Sequence, residues 1–229
     1  MQQVIRWYLR HFYDVGIAVG FIALAWGVLA ELDTRQQILL LSFAVLCLHE
    51  FEEYGWPGGF PPYMNRVMFP KILARLGKEP GRSDRYILNQ VNSVWVNVLA
   101  GYPFYIFPIF FPDLIWLGLA PMMFNLVEVI LHGFAAPTAT KSAYNPGLLT
   151  CLPWLVLSIW YFVDVTSNDL ATGTDWGIAV GYLLAWMILA LPVGTFILLS
   201  DRDSTYPFTP EEMSRFDKYA PHIRTVIHP

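Results

Sequence analysis

The amino-acid sequence predicts an all-α fold, a polytopic bundle of about six transmembrane helices with both termini in the cytoplasm. Of the 229 residues, 55% are hydrophobic and only 14% are charged, whereas a soluble domain carries about a quarter charged residues. Six stretches, residues 12–30, 34–53, 86–110, 113–134, 148–165 and 176–199, are each apolar and long enough to cross roughly 30 Å of hydrocarbon. The basic residues, finally, fall almost entirely in alternate connections. An integral, multi-pass membrane protein follows, with the membrane itself and an amphiphilic molecule as its expected partners. No nucleic acid is expected, and the oligomeric state is left open.

The first stretch is read as a retained helix, because Glu31-Leu32-Asp33 follows it where a signal peptide would show small residues. The second stops just after Glu53, since Gly55, Pro57, Gly58, Gly59, Pro61 and Pro62 cannot continue a helix. Residues 63–76 then alternate apolar and basic side chains, as in an amphipathic helix on an anionic leaflet or an ordinary basic loop. Pro103, Pro108, Pro121, Pro153 and Pro192 interrupt the later stretches, which membrane helices tolerate where neighbours satisfy the freed carbonyls. Trp7, Tyr8, Trp56, Tyr86, Tyr161 and Trp176 lie near the ends, as interfacial aromatic belts do. Residues 1–200 thus form one membrane domain, and the polar tail 201–229 is expected to be cytoplasmic and partly disordered. Cys47 and Cys151 both fall inside predicted spans and give no disulfide framework.

Orientation follows from the charges. With six spans, Arg6, Arg10, the six basic residues from Arg66 to Arg85, Lys141 and the basic residues after Arg202 share one side. Arg35 alone falls on the other, among Glu31, Asp33, Asp113, Asp164, Asp169 and Asp175. The positive side is the cytoplasmic one.

Ionisable residues in a membrane segment are costly and point to function. His49-Glu50-Phe51-Glu52-Glu53 closes the second span, and helical spacing puts His49, Glu52 and Glu53 on one face with Glu50 turned away. On the fourth span, Asn125, Glu128 and His132 share a stripe. Both spans run inward, so their last turns meet at one cytoplasmic depth. Asn89, Asn92 and Ser93 enter at that depth on the third span, and Tyr144-Asn145-Pro146-Gly147 leads into the fifth. Blander roles stand beside this one. Asparagines often bond across membrane helices for about 0.6 kcal/mol, and a glutamate or histidine near a helix end can reach out to headgroups. His11, His222 and His228 are read as surface residues of the terminal regions.

These motifs resemble those of the family of bacterial membrane proteins named for an H-x-x-E-E motif. His49, Glu52 and Glu53 supply that motif, Asn125-x-x-Glu128-x-x-x-His132 looks like the second, and Tyr144-Asn145-Pro146-Gly147-Leu148-Leu149-Thr150 looks like a Y-x-P-G turn with its following threonine. The resemblance covers residues 45–150. It implies a bacterial inner-membrane location and metal binding, and it gives no substrate.

The chemistry is read from the residues. His49, Glu52, Glu53, Glu128 and His132 are the candidate ligands of a divalent metal, with zinc favoured. Two imidazoles and a carboxylate, His49 and His132 with Glu53 or Glu128, leave a zinc position open for water. A spare glutamate, Glu52 in the first instance, is the expected general base, and Asn89 or Asn125 would orient a ligand or an oxyanion. The reading is a hydrolase of a lipid, lipidated or membrane-bound peptide substrate. A di-iron hydroxylase or desaturase is the alternative, although such helix-bundle sites take one carboxylate more than this set offers. A metal transporter or a polar scaffold is a further one, and transporters place their sites nearer the midplane.

Overall fold

The structure is a computed structural model that describes residues 1–221; His222 and His228 lie outside the described residues. Those residues form helices and no strand. Helix α1 (Gln2–Leu29) turns at Ala30 into α2 (Thr34–Glu50), which Asp33 caps by accepting the Gln36 N–H at 2.9 Å. The two pack closely because α1 offers glycine at the contact. A Cβ on Gly20 would stand 2.7 Å from the Cys47 Cβ, the small-residue contact that membrane helices favour.

Short helices α3 (Phe60–Tyr63) and α4 (Phe69–Arg75) form one unit across a π-helical stretch, Met64–Met68. Its inner face buries Tyr63, Val67, Phe69 and Leu73, and its outer face exposes Lys71 and Arg75. The amphipathic reading of residues 63–76 therefore holds over a loop. Beyond it, α5 (Gln90–Val94) leads through Trp95–Gly101 into α6 (Tyr102–Phe110), and α7 (Ile115–Ile130) leads through Leu131–Ala135 into α8 (Ala136–Thr140). Helix α9 (Cys151–Ser167), α10 (Gly173–Ile188) with its continuation Leu189–Leu198, and α11 (Pro210–Ser214) complete the chain.

Four of these helices, Gln2–Leu29, Gln90–Phe110, Ile115–Thr140 and Gly173–Leu198, are long and apolar enough to cross a membrane. The remaining two of the expected six are shorter. Helices α2 and α9 have 17 residues each, about 26 Å at 1.5 Å per residue, and α2 gains a further turn from Phe51–Gly55. Helix α2 is also the most buried of the long helices, whereas α9 buries one face and exposes Leu152, Val156, Ile159 and Val163 on the other. The main core gathers Leu39, Ala44, Cys47, Trp154 and Tyr161 from α2 and α9 with Phe104, Leu119 and Met122 of α6 and α7.

The tail, expected to be partly disordered, is ordered over its described residues. Phe208, Met213, Phe216 and Ala220 are buried, so the described part of residues 201–229 is packed rather than disordered. Arg215 holds it in place, donating to the carbonyls of Tyr54 and Gly55, while Arg66 pairs with Asp217 at 2.9 Å. The sequence here is mostly polar and proline-containing, and its apolar positions lack a helical period.

The ends of the bundle differ in charge. Arg6 lies over Tyr206, Arg202 over Tyr86, and Arg85 donates to the Ser204 carbonyl, which gathers the N-terminus, the second connection and the tail at one end. Arg82 and Arg85 clasp Asp84 there; burial opposes its ionisation, but their hydrogen bonds hold its carboxyl below the usual range. Arg35, by contrast, binds the Pro112 carbonyl and lies 3.4 Å from Asp113.

Candidate metal centre

His49 ends α2, Glu53 lies one turn later in the π-helical stretch Phe51–Gly55, and His132 lies in the π-helical stretch Leu131–Ala135. Such widened turns recur at functional sites because the extra residue re-aims side chains. Here they bring one ligand atom from each of the three residues within 4.8 Å of one another. His49 Nε2 stands 3.5 Å, and His132 Nε2 3.4 Å, from the same Glu53 oxygen, Oε1. All three side chains are buried. Glu128 joins from α7, its Oε2 3.4 Å from His132 Nε2.

The turn between α8 and α9 fixes both rings. Asn145 uses its Nδ2 to donate to the His132 carbonyl at 2.7 Å, so its Oδ1 is the acceptor 2.7 Å from His132 Nδ1. Thr150 gives its hydroxyl proton to Glu52 Oε2 at 2.7 Å, so its oxygen accepts from His49 Nδ1 at 2.8 Å. By this hydrogen-bond network each Nδ1 carries the proton and each Nε2 keeps its lone pair. Two lone pairs and a carboxylate oxygen then face one another in a buried space. An arrangement that repels itself in this way suits a cation, and second-shell bonds at Nδ1 are what metal-ligating histidines use. Gly147 closes the turn against both rings, at φ +98, where a Cβ would lie 2.5 Å from His132 Cε1 and 2.7 Å from His49 Cε1.

Glu52 is not in this cluster. Its Oε1 accepts from the Tyr144 hydroxyl at 2.9 Å and the Leu149 N–H at 3.1 Å, and its Oε2 accepts from Thr150 N–H at 2.9 Å as well as from the Thr150 hydroxyl. The carboxylate organises the turn that carries the second-shell groups. Burial and the Glu52 charge in turn push the Tyr144 hydroxyl well above its ordinary pKa, which keeps it a donor.

Asn89 and Asn125 are likewise engaged elsewhere. Asn89 caps α5, accepting from Val91 and Asn92 N–H groups at 2.9 and 3.2 Å, and it donates to the Leu199 carbonyl at 3.1 Å. Asn125 is buried deeper in the bundle, accepting from the Tyr105 hydroxyl at 2.6 Å and donating to Ser42 and Ser158 at 3.1 Å each. Asn92 and Ser93 belong to the same cap as Asn89. Glu50, turned away as its spacing implied, is fully buried and accepts from Tyr102 at 2.9 Å. Thr150, Asn145 and Gly147 are functional neighbours whose roles spacing alone did not assign. The run of turn residues before α9 was their signal.

A cavity of about 260 Å³ opens beside the cluster, with His49, Glu53 and Glu128 on its wall and apolar side chains over most of the remainder. Fold and site together define an all-helical protein with four helices of membrane-crossing length and a buried His/Glu/His cluster able to hold a metal ion. The chain belongs to the family described as proteins of unknown function with an HXXEE motif, whose model matches residues 40–161, over half its length. No curated protein and no solved structure matches it.

Proposed function

We propose that this protein is a membrane-embedded, metal-dependent hydrolase of an amphiphilic substrate, with His49, Glu53 and His132 as ligands of a single zinc ion. The observation that carries the reading is the pair of Nε2 lone pairs directed at Glu53 Oε1. Two histidines and one carboxylate are a catalytic zinc set, whereas structural zinc sites are closed by four protein ligands. A second metal finds few donors beside the cluster, because both Glu52 oxygens are bonded to the turn and Glu50 is turned away toward Tyr102, and this favours one ion over the di-iron alternative.

When bound, zinc would supply a water of lowered pKa and polarise the oxygen of the bond attacked. Glu128, on the cavity wall beside His132, is placed to act as general base in preference to Glu52. Its carboxylate takes a proton from the attacking water as the water oxygen bonds to the carbonyl carbon or phosphorus. The same proton passes to the leaving oxygen or nitrogen as its bond breaks. His49 and His132 hold their Nε2 atoms in place through Thr150 and Asn145.

The six-span arrangement with cytoplasmic termini, in an inner membrane, is part of the proposal. Its support is the basic end formed by the N-terminus, the 66–85 connection and the tail, opposite Arg35. The catalytic reading is tested by incubating zinc-loaded protein in nanodiscs with a bacterial lipid extract in heavy-oxygen water. Products carrying the label, formed by the native chain and not by Glu128→Gln, are expected. Equal products from both, or oxygen derived from O₂, would overturn it.

A further inference from the structure

The cavity beside the metal cluster carries His and Glu side chains at one end only, and the donors of its other polar side chains are already used. Thr195 donates its hydroxyl to the Ala190 carbonyl at 3.1 Å. Trp154 and Trp186 give their indole N–H groups to the carbonyls of Ser42 and Ala100, at 3.1 and 3.0 Å. Tyr105 donates to Asn125 at 2.6 Å, and Asn97 donates to the Tyr54 hydroxyl at 3.2 Å and to the Ser93 carbonyl at 2.9 Å. All six line the cavity, and the N–H and O–H groups of Thr195, Trp154, Trp186, Tyr105 and Asn97 are spent on acceptors within the protein. That leaves His49, Glu53 and Glu128 as the end with ligand chemistry.

The far wall is built from Val96 and Asn97 on one helix and Leu191 and Phe196 on another. These four are partly exposed, and their neighbours Leu99, Ile188, Leu189, Ile197 and Leu198 are exposed large hydrophobics. The wall therefore faces the bilayer. Its two helical segments, Trp95–Gly101 and Leu189–Leu198, are both π-helical, and they meet where Gly194 lies against the Trp95 indole with no room for a Cβ.

From this asymmetry we infer that the cavity binds a single linear apolar chain, acyl or prenyl, lying along the wall formed by residues 95–101 and 189–198 with its polar head at Glu53 and Glu128. The inference rests on the metal reading of the cluster and narrows its substrate to single-chain amphiphiles. Size argues against two chains. At about 260 Å³ the cavity is below the roughly 300–1,000 Å³ of pockets that hold drug-sized ligands. A headgroup without a chain would leave the apolar part without a counterpart.

The test uses the full chain, zinc-loaded, in nanodiscs, with two probes that carry the same diazirine in an acyl chain. One is a single-chain carboxylic acid, the other a diacyl phospholipid; crosslinked residues are mapped by mass spectrometry. The carboxylic acid is expected to label residues 95–101 and 191–196, and Leu191→Trp should reduce that labelling about tenfold, the order expected for overfilling a packed space, with zinc content unchanged. Val96→Phe, on the other helix of the same wall, serves as a second variant and should act likewise. Labelling confined to the outer residues Ile197 and Leu198, equal labelling by the diacyl probe, or labelling indifferent to both variants would overturn the inference. If the chain labels the cavity in protein that holds no metal, the pocket stands and the metal reading fails. If zinc is bound and the cavity stays unlabelled, the reverse holds.

Discussion

Replacing Glu52 by Gln exchanges one acceptor oxygen for an amide that can only donate, at a site where four donors from Tyr144, Leu149 and Thr150 converge. Whichever oxygen the amide replaces, it meets two donors, Tyr144 and Leu149 or the two of Thr150, so the turn that directs the Thr150 oxygen toward His49 Nδ1 is disturbed. Zinc affinity is expected to fall about 10–100-fold, the range seen when second-shell partners of metal ligands are removed, as measured by competition with a chromophoric chelator. Thr150→Val breaks the same chain one link further on. The double variant should therefore be little worse than either single one, because residues in one network do not act additively; losses that simply add would contradict the linkage. Gly147→Ala is expected to be harsher. Its positive φ and the two imidazole edges against it leave no place for a methyl group, so both metal binding and stability should suffer, the latter by about 1–3 kcal/mol in denaturant titration. Among these residues His49, Glu53, Glu128 and His132 were legible in the sequence, since helical spacing and a shared depth suffice to bring them together. The division between Glu52 and Glu53 was not, because it depends on a turn ninety residues away folding back to offer Glu52 its donors.

At the scale of elements, the π-helical stretches decide which side chains meet. The described residues contain five of them, and each contributes to the cluster or to the cavity wall: Glu53, Met64, Val96, His132 and Thr195 all lie in one. Deleting Leu131 removes the residue that widens the helix before His132, and so rotates the imidazole by about 100° relative to the turns behind it. Zinc binding should be lost while far-UV circular dichroism is unchanged; retained stoichiometry would show that the widened turn is incidental. The tail element makes a separate prediction. Arg215→Ala removes donors to the Tyr54 and Gly55 carbonyls at the end of the motif-bearing helix. The expected cost is about 1.5–3 kcal/mol for a hydrogen bond from a charged group, seen as a lower thermal midpoint with zinc stoichiometry kept. The sequence pattern placed helices well and their ends poorly. The third apolar stretch was expected from residue 86, but its helix starts at Gln90 because Asn89 and Asn92 form a reciprocal cap, a spacing that was visible and was read as site chemistry. Asn125 shows the related limit: a stripe gives the face of a helix, yet seven residues shift a side chain about 10 Å along it, far enough to bond Ser42 and Ser158 inside the bundle rather than reach the cluster.

For the whole molecule, charge and hydropathy are the most informative features of the sequence. They mark an all-helical chain with membrane-length helices, which the structure shares, and the proposed orientation of its two ends rests on the charges. Cysteines introduced beside Lys78 and Asp169 should label from opposite faces of the membrane; labelling from the same face would refute the six-span topology. The same architecture builds the site, because α2 and α7 with their π-helical continuations deliver His49, Glu53 and His132 to a common level beside a mostly apolar cavity. All else in the functional reading depends on those three residues holding an ion. Elemental analysis of protein purified without added chelator tests this directly. About one zinc per chain is expected, absent from His49→Ala and His132→Ala and retained by Glu128→Gln. Two irons per chain, or no metal in folded native protein, would contradict it.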